Sequence, residues 1–336
     1  MRAVVVSDVG QLELTDVPEP VPDGRALVRV QHAGLCGTDV KILEGGVPVA
    51  YPRVLGHELV GEVVEPGSAR RLTVGERVLV DPTVACGHCW LCRHDRAHLC
   101  GQGGLMGRDV DGGFADYVAV GEGQLLPIPD GVDSTDAAVL QILGTCVHGQ
   151  RRVEAFPGQT AVVVGLGVSG LLHLQLLRLR GFDPVVGVSR SPHKRELGRR
   201  LGAAATATPE EAGDAVREAL GERGPDLVVE SAGTVPAFAQ AVDLSSMGGT
   251  VLAYGTISAS QGELPYYEIY YKELSIIGAR AAGLRDYERG IELAAAGRLR
   301  LAPLVTDRYR LDQAPEAFDV LRSSDRALKV VLDVPG

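Results

Sequence analysis

Four of the chain's six cysteines fall in one stretch, CGHCWLCRHDRAHLC, as Cys86, Cys89, Cys92 and Cys100. Thiols spaced C-x2-C-x2-C-x7-C cannot all pair as disulfides without strain, whereas four thiolates converging from a tight lobe suit tetrahedral zinc. With every position taken by protein, such a zinc is structural. A redox-active or iron–sulfur centre is the competing reading. His88, His94 and His98 read as solvated neighbours of this lobe rather than as ligands.

A second signal is VVVGLGVSG, in which Gly165, Gly167 and Gly170 form G-x-G-x-x-G directly after an apolar strand and before the helical LLHLQLLRLRG. That context is the one a dinucleotide fingerprint requires: the glycines let backbone approach a pyrophosphate at a helix N-terminus. Gly165, Gly167, Val168 and Gly170 are therefore candidate cofactor contacts. About twenty residues on, where an NAD site shows an acid for the ribose 2′-hydroxyl, VVGVSRSPHKR offers Ser189 and Arg190 instead. A hydroxyl and a guanidinium accept a 2′-phosphate that a carboxylate would repel, so NADP(H) is favoured over NAD(H). Lys194, with His193 and Arg195, either adds to that field or forms a solvated basic first turn.

The third signal is a pair. RVLGHELVGEVV places His57 and Glu58 side by side in what reads as a half-buried strand, and burying both costs several kcal/mol unless each finds a partner. Upstream, AGLCGTDVKILEG supplies Cys36. Together the three offer the soft, borderline and hard donors suited to a catalytic zinc.

The elements that would carry these residues follow from composition and pattern. A chain of 336 residues with 45% apolar and 23% charged side chains has room for two globular domains. Its net charge of −10 and pI near 5.3 argue against nucleic acid or an anionic membrane as partner. The N-terminal apolar run is too short for a signal peptide, and the longest apolar stretch is broken by glycine and His173, so no transmembrane helix and a cytoplasmic location are expected. Up to about residue 130, short strands are punctuated by Gly and Pro. From about 158 to 278, apolar strands alternate with helices as βαβ units require. The last sixty residues run helix, strand, helix, strand and return to the first domain.

GLCGTD, GHE, the four-cysteine lobe, DGGFADY, GLGVSG and YYKELSIIGA, in this order and over essentially the whole chain, resemble the zinc-dependent medium-chain dehydrogenase/reductase superfamily of alcohol, polyol and threonine dehydrogenases. The resemblance implies an α/β fold: a GroES-like β-rich catalytic domain (1–145 and 279–336) around a doubly wound Rossmann parallel sheet that binds NADP(H) (146–278). It also implies a homodimer or homotetramer. Cys36 and His57 match the first two catalytic zinc ligands, and Glu58 the acid that is a ligand in some members and a neighbour of the metal in others.

The chain departs from the family twice. The third protein ligand, ordinarily Cys, Glu or Asp, aligns with Gln141 in AAVLQILGTCVHG, so either Glu58 completes the charged set with Gln141 beside it, or the amide oxygen coordinates, or the metal is lost. Cys146 and His148 read as helix residues. Thr38 matches the hydroxyl that passes the substrate proton, but the relay's terminal histidine aligns with Lys41. That lysine is a shuttle tuned by desolvation, a substrate anchor or a surface residue. In the reaction so implied, zinc polarises the alcohol or carbonyl oxygen, Thr38 exchanges the proton and the nicotinamide exchanges hydride.

The expected function is zinc-dependent, NADP(H)-linked interconversion of a secondary alcohol and a ketone. With five Phe and one Trp in the chain, and with Lys41, Glu44, Arg108 and Asp109 on segments that border the family's cleft, the substrate expected is a polyol, sugar or (amino)cyclitol. The alternatives are a general primary or secondary alcohol dehydrogenase or aldehyde reductase and, in another class, a non-catalytic NADPH-binding zinc protein.

Overall fold

The computed structural model describes residues 1–68, 72–258 and 261–334 and divides the chain into two compact units. One comprises Met1–Gly144, Ala282–Gly297 and Leu301–Gly336; the other, Thr145–Ala281 and Arg298–Arg300. Among the described residues no helix is long and apolar enough to cross a membrane.

The first unit is built on a seven-stranded sheet whose centre is the long strand Ala26–Gly34. Its period-two pattern of buried and half-buried residues fits one face packed on a core. It pairs antiparallel with Glu58–Glu65 on one side and with Lys329–Asp333 on the other. The chain's last strand is thereby locked beside one of its first. Val28, Val30, Leu59, Val63, Val78, Phe114, Val330 and Leu332 fill the core beneath.

In the second unit a six-stranded parallel sheet runs Ala205–Ala207, Val185–Val188, Ala161–Val164, Leu227–Glu230, Thr250–Ala253 and Ser275–Gly278. Its four central strands are almost wholly buried and Val-rich, as a sheet covered on both faces requires. The edge strand Ser275–Gly278 is exposed, with Ile276 at 39%.

The helix Val168–Leu179 is buried from Gly170 to Leu177, and this burial includes His173. The His173 Nδ1 lies 3.0 Å from the Gln150 amide nitrogen, the ring meets Tyr254 edge-on at 4.4 Å, and Nε2 has no hydrogen-bond partner among the described residues. Burial alone pushes its pKa down to about 3. The unfolded chain, with an ordinary value near 6.5, therefore binds the proton that the folded chain refuses. Stability is full above pH 6.5 and should fall by about 1.4 kcal/mol for each pH unit below it, until the folded pKa is reached. Urea unfolding of wild type and His173→Leu between pH 7.5 and 4.5 checks this: the difference between them should shrink on acidification, and parallel pH curves would contradict it.

Candidate functional site

The segment GLCGTD folds into the start of the helix Gly37–Leu43, with Cys36 as its N-cap. The Cys36 sulfur accepts from the Thr38 N–H at 3.5 Å, and Asp39 Oδ2 accepts from the Cys36 N–H at 2.9 Å. This reciprocal capping box fixes the sulfur's direction. The Thr38 hydroxyl stands 3.7 Å from that sulfur.

His57 departs from the sequence reading. The expected continuous strand is broken into Arg53–Val54 and Glu58–Glu65, and His57 lies in the link between them. The break is set by Gly56, which has φ +98° and where a Cβ would run into the ring of Phe114. The resulting bend aims His57 and Glu58 together, whereas successive residues of a regular strand point to opposite faces. Cys36, His57 and Glu58 each place a donor atom within 4.8 Å of the others; the histidine and the acid are buried and the cysteine half-buried. Asp39, wholly buried, brings Oδ1 to 3.4 Å from His57 Nδ1, a long contact between a carboxylate and the buried ring.

Glu58 has a partner that sequence reasoning missed. Lys329 Nζ donates to its Oε2 at 2.6 Å and to the Leu35 carbonyl at 3.1 Å, with both side chains 2% exposed. Burial works against the ammonium, but the charges of Glu58 and Cys36 outweigh it and hold the lysine pKa above its usual value. The pair meets over Gly34, which faces Glu58 in the sheet register and where a Cβ would stand 2.6 Å from the carboxylate.

Gln141 is also buried, on the first-unit part of the helix Leu140–Arg151. Its amide nitrogen donates to the Tyr287 hydroxyl at 3.2 Å. Burial, then the charge of Asp81, raises the tyrosine pKa well above its ordinary value, so it stays a neutral phenol. Cys146 and His148 are buried in the same helix.

In the lobe, the sulfurs of Cys89 and Cys92 are 3.5 Å apart, Cys86 and Cys92 3.8 Å, and Cys89 and Cys100 3.9 Å. A tetrahedron with metal–sulfur bonds of about 2.3 Å has edges of about 3.8 Å, whereas a disulfide needs about 2.05 Å. The donor set therefore fits zinc. His88 and His94 are exposed, but His98, expected to be solvated, is buried on the turn Ala97–Leu99. A single turn returns the chain to Cys100 and tucks that ring inward.

In the second unit Gly165 and Gly167 bridge the strand Ala161–Val164 and the helix Val168–Leu179, and Gly170 lies in that helix's first turn. Gly167 is the N-cap without a side-chain cap, so the helix presents uncapped N–H groups there. Ser189 and Arg190 follow the strand Val185–Val188. Arg190 is exposed and its guanidinium makes no hydrogen bond or ion pair among the described residues. Arg195 instead donates to the carbonyls of Ser189 at 2.7 Å and Arg190 at 2.8 Å, so its charge is spent on the loop. Lys194 lies in the first turn of the helix Pro192–Arg200, capped by Ser191.

The loop charges divide. Arg108 and Asp109 pair at 2.6 Å, and Asp109 also caps the Leu105 N–H at 2.7 Å, so they satisfy each other in their own turn. Lys41, in the last turn of its helix, is half-buried, and Glu44 is exposed.

A β-rich unit bearing two cysteine-containing donor clusters and a Rossmann-type parallel unit define the class of nucleotide-dependent oxidoreductases, and similar proteins belong to the same class. Residues 22–130 match the alcohol dehydrogenase GroES-like domain and residues 168–296 the zinc-binding dehydrogenase family. The chain is 30% identical to the sorbitol dehydrogenase of Halalkalibacterium halodurans over 99% of both chains. It is 33% identical to the L-threonine 3-dehydrogenase of Rhizobium etli over 99% of this chain and 98% of the relative. A solved zinc-binding dehydrogenase of Sinorhizobium meliloti, bound to NADP, superposes with a TM-score of 0.90 at 35% identity, covering 99% of this chain and 98% of its own. The chain belongs to the zinc-dependent medium-chain dehydrogenase superfamily.

Proposed function

We propose that this chain is an NADP(H)-linked dehydrogenase that interconverts a secondary alcohol and a ketone on a polyhydroxylated substrate, with one catalytic and one structural zinc. The observation that carries this is the convergence of Cys36, His57 and Glu58 within 4.8 Å beside the Thr38 hydroxyl. One thiolate, one imidazole and one carboxylate make a donor set suited to zinc, and the four cysteines of the lobe make a second.

When bound, zinc would supply Lewis-acid polarisation of the substrate oxygen and the nicotinamide a hydride acceptor or donor. The chain's own residues do the rest. Cys36, His57 and Glu58 hold the metal, with Gln141 nearby. Asp39 fixes the imidazole's orientation and its basicity. The Thr38 hydroxyl takes up and passes on the substrate proton, and Lys41, three residues on, receives it directly or through water. At the other end of the reaction, Gly165, Gly167, Val168 and Gly170 cradle the pyrophosphate, while Ser189, Arg190 and Lys194 meet the 2′-phosphate.

The substrate reading is supported by the polyol named for one relative and by the four charges near Thr38 and the lobe, although the self-pairing of Arg108 and Asp109 leaves Lys41 and Glu44 as the polar groups free to meet hydroxyls. The threonine dehydrogenase relatives favour a second reading, oxidation of a hydroxyl on an amino acid. One experiment decides: kcat/KM for a panel of polyols, cyclitols, L-threonine, 2-butanol and benzyl alcohol, each with NADP+ and NAD+. The proposal expects the hydroxyl-rich compounds to lead by roughly 10⁴-fold over the simple alcohols, with NADP+ preferred. Faster turnover of 2-butanol, or a preference for NAD+, would overturn the corresponding half.

A further inference from the structure

Glu230 ends the strand Leu227–Glu230, in register with Val164 on one side and Ala253 on the other. Its side chain is wholly buried. An acid in that position is costly unless its oxygens are held. Oε1 accepts from the N–H of Ala232 at 2.8 Å and of Gly233 at 2.7 Å. The backbone carbonyl of Glu230 accepts from Tyr254 at 3.0 Å and Gly255 at 2.9 Å. Oε2 has no hydrogen-bond partner among the described residues and stands where a Cβ on Gly255 would lie 2.6 Å away. Burial pushes this carboxyl above its ordinary pKa against the pull of the Gly233 and Ala232 N–H groups.

What Glu230 holds is the wall of the fingerprint turn. A Cβ on Gly165 would stand 2.7 Å from the nitrogen and 2.9 Å from the Cα of Ala232. A Cβ on Gly255 would run into the backbone nitrogen of Gly233. The loops that leave three adjacent strands are therefore stacked backbone on backbone, with Glu230 bonded to two of them. In open parallel sheets the ligand lies outside these carboxyl ends, so the spacing of the loops is the spacing of the site.

We propose that Glu230 is a positioning residue for the nicotinamide dinucleotide: one carboxyl oxygen fixes the Ala232–Gly233 turn against Gly165, and the backbone carbonyl fixes the Tyr254–Gly255 turn beside it. This rests on the reading of the second unit as the dinucleotide site. The carboxyl acts through the turn and not by touching the cofactor, so what matters is the place of its oxygen rather than its charge.

The test is calorimetric binding of NADP+ and of NAD+ to the full-length protein, together with the Tm of each variant. Glu230→Asp keeps the charge but withdraws the oxygen by one methylene. It should raise both dissociation constants about tenfold without changing their ratio, the effect of about 1.4 kcal/mol for misplaced acceptors. Glu230→Gln keeps an acceptor in place and should stay within about threefold of wild type. Gly255→Ala, which crowds the same carboxyl, should follow Glu230→Asp. Phe182→Ala, a wholly buried residue on the amino-terminal side of the sheet, is the control for stability alone and should lower Tm while leaving both constants unchanged. Unchanged binding in Glu230→Asp, binding by Glu230→Gln as weak as by Glu230→Asp, or loss of affinity in Phe182→Ala in proportion to Tm would each overturn the assignment. Failure of the wild type to bind either dinucleotide would overturn the dinucleotide reading itself, and this one with it.

Discussion

Lys329→Met should destabilise the zinc-free protein by about 3–5 kcal/mol, the cost of leaving one member of a buried ion pair without its partner. Among the described residues Glu58 makes no other ion pair: the contact is 2.6 Å, with both side chains 2% exposed. The double variant Glu58→Gln/Lys329→Met should recover most of that loss, because two neutral groups of similar size carry no uncompensated charge. The zinc-loaded protein should lose less than the zinc-free protein in the single variant, since a cation at Cys36, His57 and Glu58 can neutralise the stranded carboxylate. Denaturant unfolding of the three proteins with and without chelator checks all of this. Equal losses with and without metal would show that Glu58 does not belong to the metal's donor set.

Much of the site could be read from the sequence because its parts are local. The four cysteines of the lobe and the three fingerprint glycines each sit within one short stretch, so spacing alone carries their geometry. Asp39 is equally legible in principle: an acid three residues after a capping position, in CGTD, is the capping-box pattern, but a cysteine at the cap position hides it, since Ser, Thr, Asp and Asn are the usual caps. Lys329 was not legible in that way. It lies 271 residues from Glu58, and only the pairing of the last strand with Ala26–Gly34 brings it there. The trace it leaves is a lysine inside the apolar ALKVVL, where an edge or surface reading is cheaper than a buried one. Tyr287, 146 residues from Gln141, is hidden for the same reason. The seven-stranded and six-stranded sheets follow from period and punctuation, but the break at His57 does not. Gly56 in VLGHEL reads as one weak position in a strand until Phe114 is seen to occupy the space a Cβ would need.

Removing the metal from the four-cysteine lobe should unfold that lobe alone. The helix Trp90–Arg93 buries no residue, Trp90 is 62% exposed, and the turn Ala97–Leu99 buries only His98. A segment with so little apolar burial cannot offset the roughly 1–2 kcal/mol of backbone entropy that each ordered residue costs. Structural zinc in comparable cysteine clusters contributes about 10–16 kcal/mol of apparent binding free energy, which is folding free energy for the loop it closes. Cys89→Ser should therefore reduce bound zinc from two equivalents to one and open trypsin sites at Arg93 and Arg96. Cys36 and His57, proposed above as donors to the second metal, lie on separate elements, the N-cap of Gly37–Leu43 and the link before Glu58–Glu65, and should keep that metal. Metal analysis and limited proteolysis, with hydrogen exchange over residues 86–100, read the two effects separately. A Cys89→Ser protein that keeps two zinc ions, or whose lobe resists trypsin as the wild type does, would show that the lobe is held by something other than its thiolates.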